Sequence, residues 1–301
     1  MFIDIHVHTR NRPSPNRYGS DQTYATPEEL IEMYDEVGIE KAVILPGINP
    51  ECAHVVQSNE DAIEIAERYP DRFIAFCNID PRMIDNSPDA DLEYLMEYYR
   101  GRGCPGVGEV CANLYFDDPL MQNLFYHAEK TGMLLTFHVA TRRGGTYGII
   151  DDLNLPRFEK TVERFPELKF LCHSQAFWSE ISGDVTEGTR GGYPKGPVTE
   201  GGKVPELLHH PNVYGDLSAG SGYNSVSRDP EFGYRFLTEF RDKLCFGTDV
   251  CAPSNRDNVL IDLANFLKDA LEKGKITQEV FDKIAFRNAQ RLLGIEDKTC
   301  S

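Results

Sequence analysis

The sequence predicts an α/β fold, a (β/α)8 TIM barrel with an extra C-terminal helix. Three observations predict it. Short apolar or β-branched runs alternate with amphipathic stretches of ten or more residues, the pattern of parallel strands joined by crossover helices. Eight such units fit into 301 residues, a typical length for one barrel. The two longest loops, 9–25 and 174–203, both follow strands. In a barrel that places them at the C-terminal face, where barrel enzymes build their sites. The chain reads as one domain, 1–301, without a low-complexity linker or a short repeat.

The elements follow in order. The first strand covers 2–8, and Thr26-Pro27-Glu28-Glu29 opens a helix with an N-cap, a proline in its first turn and early acids facing the dipole. Gly38 ends that helix. Strands at 41–45, 73–79 and 106–110 alternate with helices near 59–69, 89–100 and 118–131. The fifth and sixth strands, 133–138 and 168–173, flank a helix near 155–165. A short helix at 204–209 precedes the seventh strand, 213–217, and a helix near 230–240 precedes the eighth, 244–248. A helix at 258–272 completes the eight units, and the extra one, 277–293, is expected across the barrel exterior.

Composition narrows the function. A formal charge of −17 repels nucleic acid and anionic membranes. No run of eighteen apolar residues is present and the chain opens on MFIDIHVH without a basic leader, so the expectation is a cytoplasmic protein with a small-molecule substrate. The eight cysteines form no C-x-x-C pair and several sit in apolar strand-like runs, so they are read as reduced and mostly structural. Cys251, two residues beyond Asp249, stands nearest the chemistry.

That chemistry starts at His6 and His8. Strict alternation puts Asp4, His6 and His8 on one strand face, toward the barrel interior, and Ile3, Ile5 and Val7 on the other. His138 ends the fifth strand, His173 ends the sixth, and Asp249 follows the eighth in Phe246-Gly247-Thr248-Asp249. Four of the eight histidines therefore fall at the C-terminal ends of three strands, whereas His54, His127, His209 and His210 scatter over loops and helices. Imidazoles and a carboxylate converging on one point suit a divalent metal, zinc first, then manganese or iron. Such an ion lowers the pKa of bound water and polarises a carbonyl. Asp249 can both bind it and accept a proton, and His173 can orient or protonate substrate.

The set His6-Val7-His8, His138, His173 and Gly247-Thr248-Asp249 resembles the amidohydrolase superfamily over essentially the whole chain. Asn78-Ile79-Asp80-Pro81, the run from Asn212 to Ser218, and Asn288-Ala289 through Gly294 resemble its amidohydrolase-2 branch, which includes aminocarboxymuconate-semialdehyde decarboxylase. The resemblance implies one metal on His6, His8, His138 and Asp249, His173 as the catalytic histidine, and a homodimer. Glu109, in Gly106-Val107-Gly108-Glu109-Val110, opens an alternative. A fourth-strand carboxylate bridges two metals in several amidohydrolase branches, including TatD-type deoxyribonucleases. His6, His8 and Asp249 would then hold one ion, and His138 and His173 a second. Otherwise Glu109 only fixes the tautomer of a ligand.

Arg10, Arg142 and Arg143 are candidates to pair with a substrate carboxylate. Trp178, the single tryptophan, is a candidate pocket wall, and Asp80 and Asn113 fall in top-face loops. The Gly-rich stretch 188–202 reads as a flexible loop or lid. The leading function is hydrolysis of an amide, lactone or ester of a small, carboxylated substrate. The alternative is metal-dependent non-oxidative decarboxylation of an aromatic or unsaturated acid.

Overall fold

A computed structural model describes residues 1–51, 53 and 55–295. Cys52, His54 and Cys300 lie outside the described residues. The strands are β1 (Phe2–Val7), β2 (Ile39–Ile44), β3 (Phe73–Ala75), β4 (Gly106–Val110), β5 (Ala112–Tyr115), β6 (Leu134–Ala140), β7 (Gly148–Ile150), β8 (Phe170–His173), β9 (Val213–Asp216) and β10 (Leu244–Cys245). The helices begin with α1 (Pro27–Val37), α2 (Asn59–Arg68), α3 (Leu92–Gly101), α4 (Pro119–Thr131), α5 (Pro156–Arg164) and α6 (Gln175–Trp178). They continue with α7 (Lys203–Leu208), α8 (Ala219–Ser227), α9 (Pro230–Glu239), α10 (Asp262–Glu272), α11 (Gln278–Asp282) and α12 (Asn288–Leu293). Among the described residues no helix is long and apolar enough to cross a membrane.

Every strand pairing is parallel, in the orders β1-β2-β3 and β4-β6-β8-β9-β10. Bridges between Cys77 and Val107 and between Val7 and Val250 join the two runs at both ends, which closes an eight-stranded barrel. Backbone hydrogen bonds from Ile5 N to Phe246 O (3.0 Å) and from Asp249 N to His6 O (2.9 Å) complete the seam. The short strands β5 and β7 lie outside this ring, where β7 pairs with the end of β6. They and α8 were not foreseen in the sequence.

The helix ends obey local chemistry. Thr26 and Glu29 form a capping box at α1, and Gly38 ends it in the left-handed region at φ 85°. Asp118 caps α4, which stops at Gly132 in the same way. The last segment departs from its expected place. Ala289, Leu292 and Leu293 join Ile3, Ile5, Val43, Leu45, Leu134 and Leu171 in the apolar cluster that fills the barrel. The C-terminal helix thus plugs the barrel's N-terminal end instead of lying along its exterior, because those residues are apolar and barrel strands leave their lower ends unfilled.

The Gly-rich 188–202 stretch is pinned rather than loose. Gly183 N donates to Thr199 O (2.8 Å), and Val198 N donates to Asp229 Oδ2 (3.1 Å). Arg190 is wholly buried, 2.9 Å from Glu180 Oε1, and donates to the Asp151 carbonyl (2.8 Å). Burial pushes the Glu180 carboxyl up to about 7, so Glu180→Gln removes only part of a counter-charge at neutral pH and should cost about 1–3 kcal/mol. Urea unfolding measures this. A loss under about 1 kcal/mol would mean that Arg190 finds another partner.

Candidate metal centre

β1 carries the first donors, and it does so through a β-bulge. Asp4 stands opposite Ala42 and Val7 opposite Ile44, so three steps of β1 match two of β2. The extra residue breaks the strict alternation. Ile3 and Ile5 face the interior cluster, and after the bulge His6 and His8 face inward as well. Asp4 turns out to the helix layer, where it accepts from Tyr34 Oη of α1 (2.7 Å) and Thr248 N (2.9 Å). The expected sharing of one face by Asp4, His6 and His8 is therefore corrected.

β4 repeats the device. Val107 pairs with Leu135 and Val110 with Phe137, again three steps against two, and both valines face the helices. Glu109 is thereby freed to point into the barrel. Gly108 is required beside it, because a Cβ at its φ of 147° would lie 2.5 Å from Thr136 O.

The donor atoms converge. His6 Nε2 and His8 Nε2 are 3.1 Å apart, and Asp249 Oδ1 lies 3.7 and 3.6 Å from them. Glu109 Oε2 lies 3.8 and 3.6 Å from the same two nitrogens. Ligands about 2.1 Å from a tetrahedral ion stand roughly 3.4 Å apart. The other oxygen, Glu109 Oε1, meets His138 Nδ1 at 3.0 Å and His173 Nε2 at 4.0 Å. Asp249 Oδ2 lies 3.9 Å from His173 Nε2. His6, His8, Glu109, His138, His173 and Asp249 are therefore all gathered at the C-terminal face. Among the described residues the donors close enough to share one ion are His6 with His8 and Asp249, and His6 with Glu109 and His173, while His138 joins through its contact to Glu109.

Outer contacts fix the rings. His8 Nδ1 donates to the Leu45 carbonyl (2.8 Å) and His6 Nδ1 to Asp216 Oδ2 (2.6 Å), while His173 Nδ1 shares a 2.9 Å hydrogen bond with Ser218 Oγ. With Nδ1 protonated, the Nε2 atoms of neutral His6 and His8 present lone pairs to each other at 3.1 Å. A proton on one nitrogen or a metal ion between the two holds them at that distance, and the Asp249 and Glu109 oxygens 3.6 to 3.8 Å away complete a nitrogen and oxygen donor set that fits a divalent metal.

The charges say the same. Burial disfavours a charged His6, yet Asp216, Asp249 and Glu109 outweigh it and push the ring up to about 10. Burial, with the nearby His6 charge, pushes His173 down to about 4. Burial also opposes ionisation of Glu109, but hydrogen bonds from His138 and His8 hold its carboxyl well below the usual range. Without a cation the cluster keeps a proton on His6; with one, that charge is replaced.

Asp216 is the main residue that the sequence reasoning left without a role. It is fully buried at the end of β9 and also lies 3.5 Å from His173 Nδ1. Its signal was present, a carboxylate at the C-terminal end of a barrel strand. Asp216→Asn should weaken metal affinity about 10–100-fold, since the outer carboxylate raises ligand basicity. Competition against a chromophoric chelator measures it. An unchanged affinity would make the bond to His6 merely structural.

The candidate substrate residues lie elsewhere than expected. A cavity of about 200 Å³ opens over Glu109, His138 and Asp249, and Tyr147 and Cys251 help to line it. Arg10 turns instead toward Asp61 of α2, at 3.7 Å. Arg142 is exposed and borders a separate polar depression with Glu187 and Thr189. Arg143 lies over the Tyr115 ring, and Asn113 is held by Arg142 O and Gly144 N. Trp178 is buried behind β9, where its indole donates to Asp216 O (2.8 Å), so it supports the strand rather than walling the cavity. Among the described residues, the arginine that lines the cavity is Arg17.

The barrel and its converging donors define a metal-site enzyme architecture. The family model described as Amidohydrolase matches residues 3–295, and the chain belongs to this family of enzymes. It is similar to an uncharacterised TIM-barrel protein from Bordetella bronchiseptica, with 17% identity, 98% of each chain covered and a TM-score of 0.62. It is also similar to a probable 2-pyrone-4,6-dicarboxylic acid hydrolase from Acinetobacter baumannii, at 13% identity over 97% of this chain and 99% of that one, TM-score 0.59. 5-Carboxyvanillate decarboxylase from Sphingomonas paucimobilis matches at 14% identity over 98% and 99%, TM-score 0.59. A search of curated protein sequences returned no match.

Proposed function

We propose that this chain is a hydrolase that holds two divalent ions, zinc by its nitrogen and oxygen donors, and cleaves an amide, lactone or ester of a small carboxylated substrate. The observation that carries the reading is Glu109, whose two oxygens face two different histidine pairs. His6 and His8 with Asp249 would hold one ion, His138 and His173 the other. Ions bound there would supply an acidified water and a polarised carbonyl. Asp249, whose side chain is 28% exposed beside the cavity, is the group placed to take the proton from water and return it to the leaving group. His173 is buried and bonded to Ser218, which suits a ligand better than a proton carrier.

Metal analysis of the purified, reconstituted protein should give two equivalents per chain. A panel of lactones, amides and arylcarboxylic acids, scored for water-addition products and for carbon dioxide, tests the reaction. Carbon dioxide without any water-addition product would sink the hydrolase reading in favour of decarboxylation, the activity named for one of the structural relatives.

A further inference from the structure

Beside the metal donors, the cavity carries two opposite charges that do not pair with each other. Arg17, in the loop after β1, is the single arginine or lysine among the described lining residues, and no carboxylate of those residues lies within 4 Å of its guanidinium. It stands over the Tyr24 ring, 5.5 Å from the centroid. Its loop is tied down, because Arg17 N donates to Gln22 O (2.8 Å) and Ser254 N to Gln22 Oε1 (3.1 Å). Glu51 supplies the negative charge. Its Oε1 pairs with Arg82 at 2.6 Å, while its Oε2 is buried and accepts no hydrogen bond.

Glu51 is held by a chain of contacts that leads back to the metal donors. Arg82 also grips Asp80, at 2.7 and 2.6 Å, and Asp80 accepts from Asn49 Nδ2 (2.6 Å). Asn49 Oδ1 in turn accepts from Cys111 N (2.7 Å), two residues beyond Glu109. The position of Glu51 is therefore fixed by the fold before any ligand arrives, which is the condition for selective recognition. A cationic fork that touches the Cys251 thiol but has no carboxylate partner among the described residues, and a buried carboxylate oxygen lacking a donor, are complementary to one kind of molecule. Arg17 fits a carboxylate. Glu51 Oε2 fits a hydroxyl or an N–H, and rejects a substrate that leaves it unpaired.

We propose that Arg17 and Glu51 determine the specificity of this cavity, selecting a small acid that carries a carboxylate for Arg17 and a hydrogen-bond donor for Glu51. The proposal rests on the cavity being the substrate site of the proposed hydrolase, and it gives Asp80 and Arg82 the role of positioning residues.

Calorimetric binding to the metal-loaded full chain tests it without turnover. The probes are isophthalate and 5-hydroxyisophthalate, rigid diacids that differ by one hydroxyl remote from both carboxylates. The wild type should bind the hydroxylated acid about tenfold more tightly or better. Arg17→Met, with Arg17→Gln as its polar counterpart, should weaken both acids about tenfold or more. Glu51→Leu should erase the preference between them, and Glu51→Gln should reduce it. Melting temperature and metal content confirm that each variant is folded and loaded. The proposal is overturned if neither acid binds the wild type at millimolar concentration, if the Arg17 variants bind both within twofold of wild type, or if Glu51→Leu keeps the preference. If the binding pattern holds while no hydrolytic turnover is found, the failure belongs to the proposed reaction instead.

Discussion

Glu109→Gln should leave the centre with one metal equivalent in place of two and lower kcat by about 10³-fold or more. The substitution keeps the side chain's shape and one acceptor oxygen, so the barrel has no steric reason to change. What disappears is a full negative charge placed 3.6 to 4.0 Å from three imidazole nitrogens and 3.0 Å from a fourth. An amide nitrogen cannot ligate, so one histidine pair loses the oxygen it shares with the other. Several kcal/mol of charge stabilisation goes with it, and each 1.36 kcal/mol is about tenfold in rate. Elemental analysis per chain and steady-state turnover on the same preparation check this. Retention of full metal content and turnover would reduce Glu109 to an acceptor that orients His138.

Much of this was legible in the sequence, and the reasons are specific. Helix starts and stops were readable because capping chemistry is local: Thr26, Pro27, Glu29 and Gly38 act within one turn of each other. The ligand positions were readable because barrel geometry places strand ends at one face, whatever the intervening helices do. Orientation along β1 and β4 was less legible. A bulge depends on how one strand registers with its neighbour, information that lies well outside the strand itself, at Ala42 and Ile44 for β1 and at Leu135 and Phe137 for β4. Alternation read from β1 alone sent Ile5 outward and Asp4 inward, the reverse of what pairing imposes. The cavity charges were illegible for a related reason. Arg10 and Arg142 stand next to ligands in sequence, but Arg17 reaches the cavity through a long loop fixed by contacts to 251–254. Trp178 reads from sequence as a candidate wall of the pocket, but an apolar ring with one donor is equally served by packing, and it packs behind β9.

Asp249→Asn should lower kcat by about 10²–10⁴-fold while leaving the fold intact, the range that a positioned proton acceptor contributes. Asparagine is the informative choice because Asp249 adopts φ 58°. That left-handed conformation admits Asn and Asp but penalises Ala by roughly 1–2 kcal/mol, so an alanine variant would mix lost chemistry with backbone strain. The backbone bond from Asp249 N to His6 O would persist, keeping the side chain aimed at the same point. One amide oxygen would still face His6 and His8, so at least part of the metal should be retained. The proton acceptor would be gone. Turnover measured at saturating metal separates the two losses: a deficit that persists there belongs to proton transfer, and one that closes belongs to metal affinity. If kcat stays within about threefold of wild type, proton transfer belongs to another group.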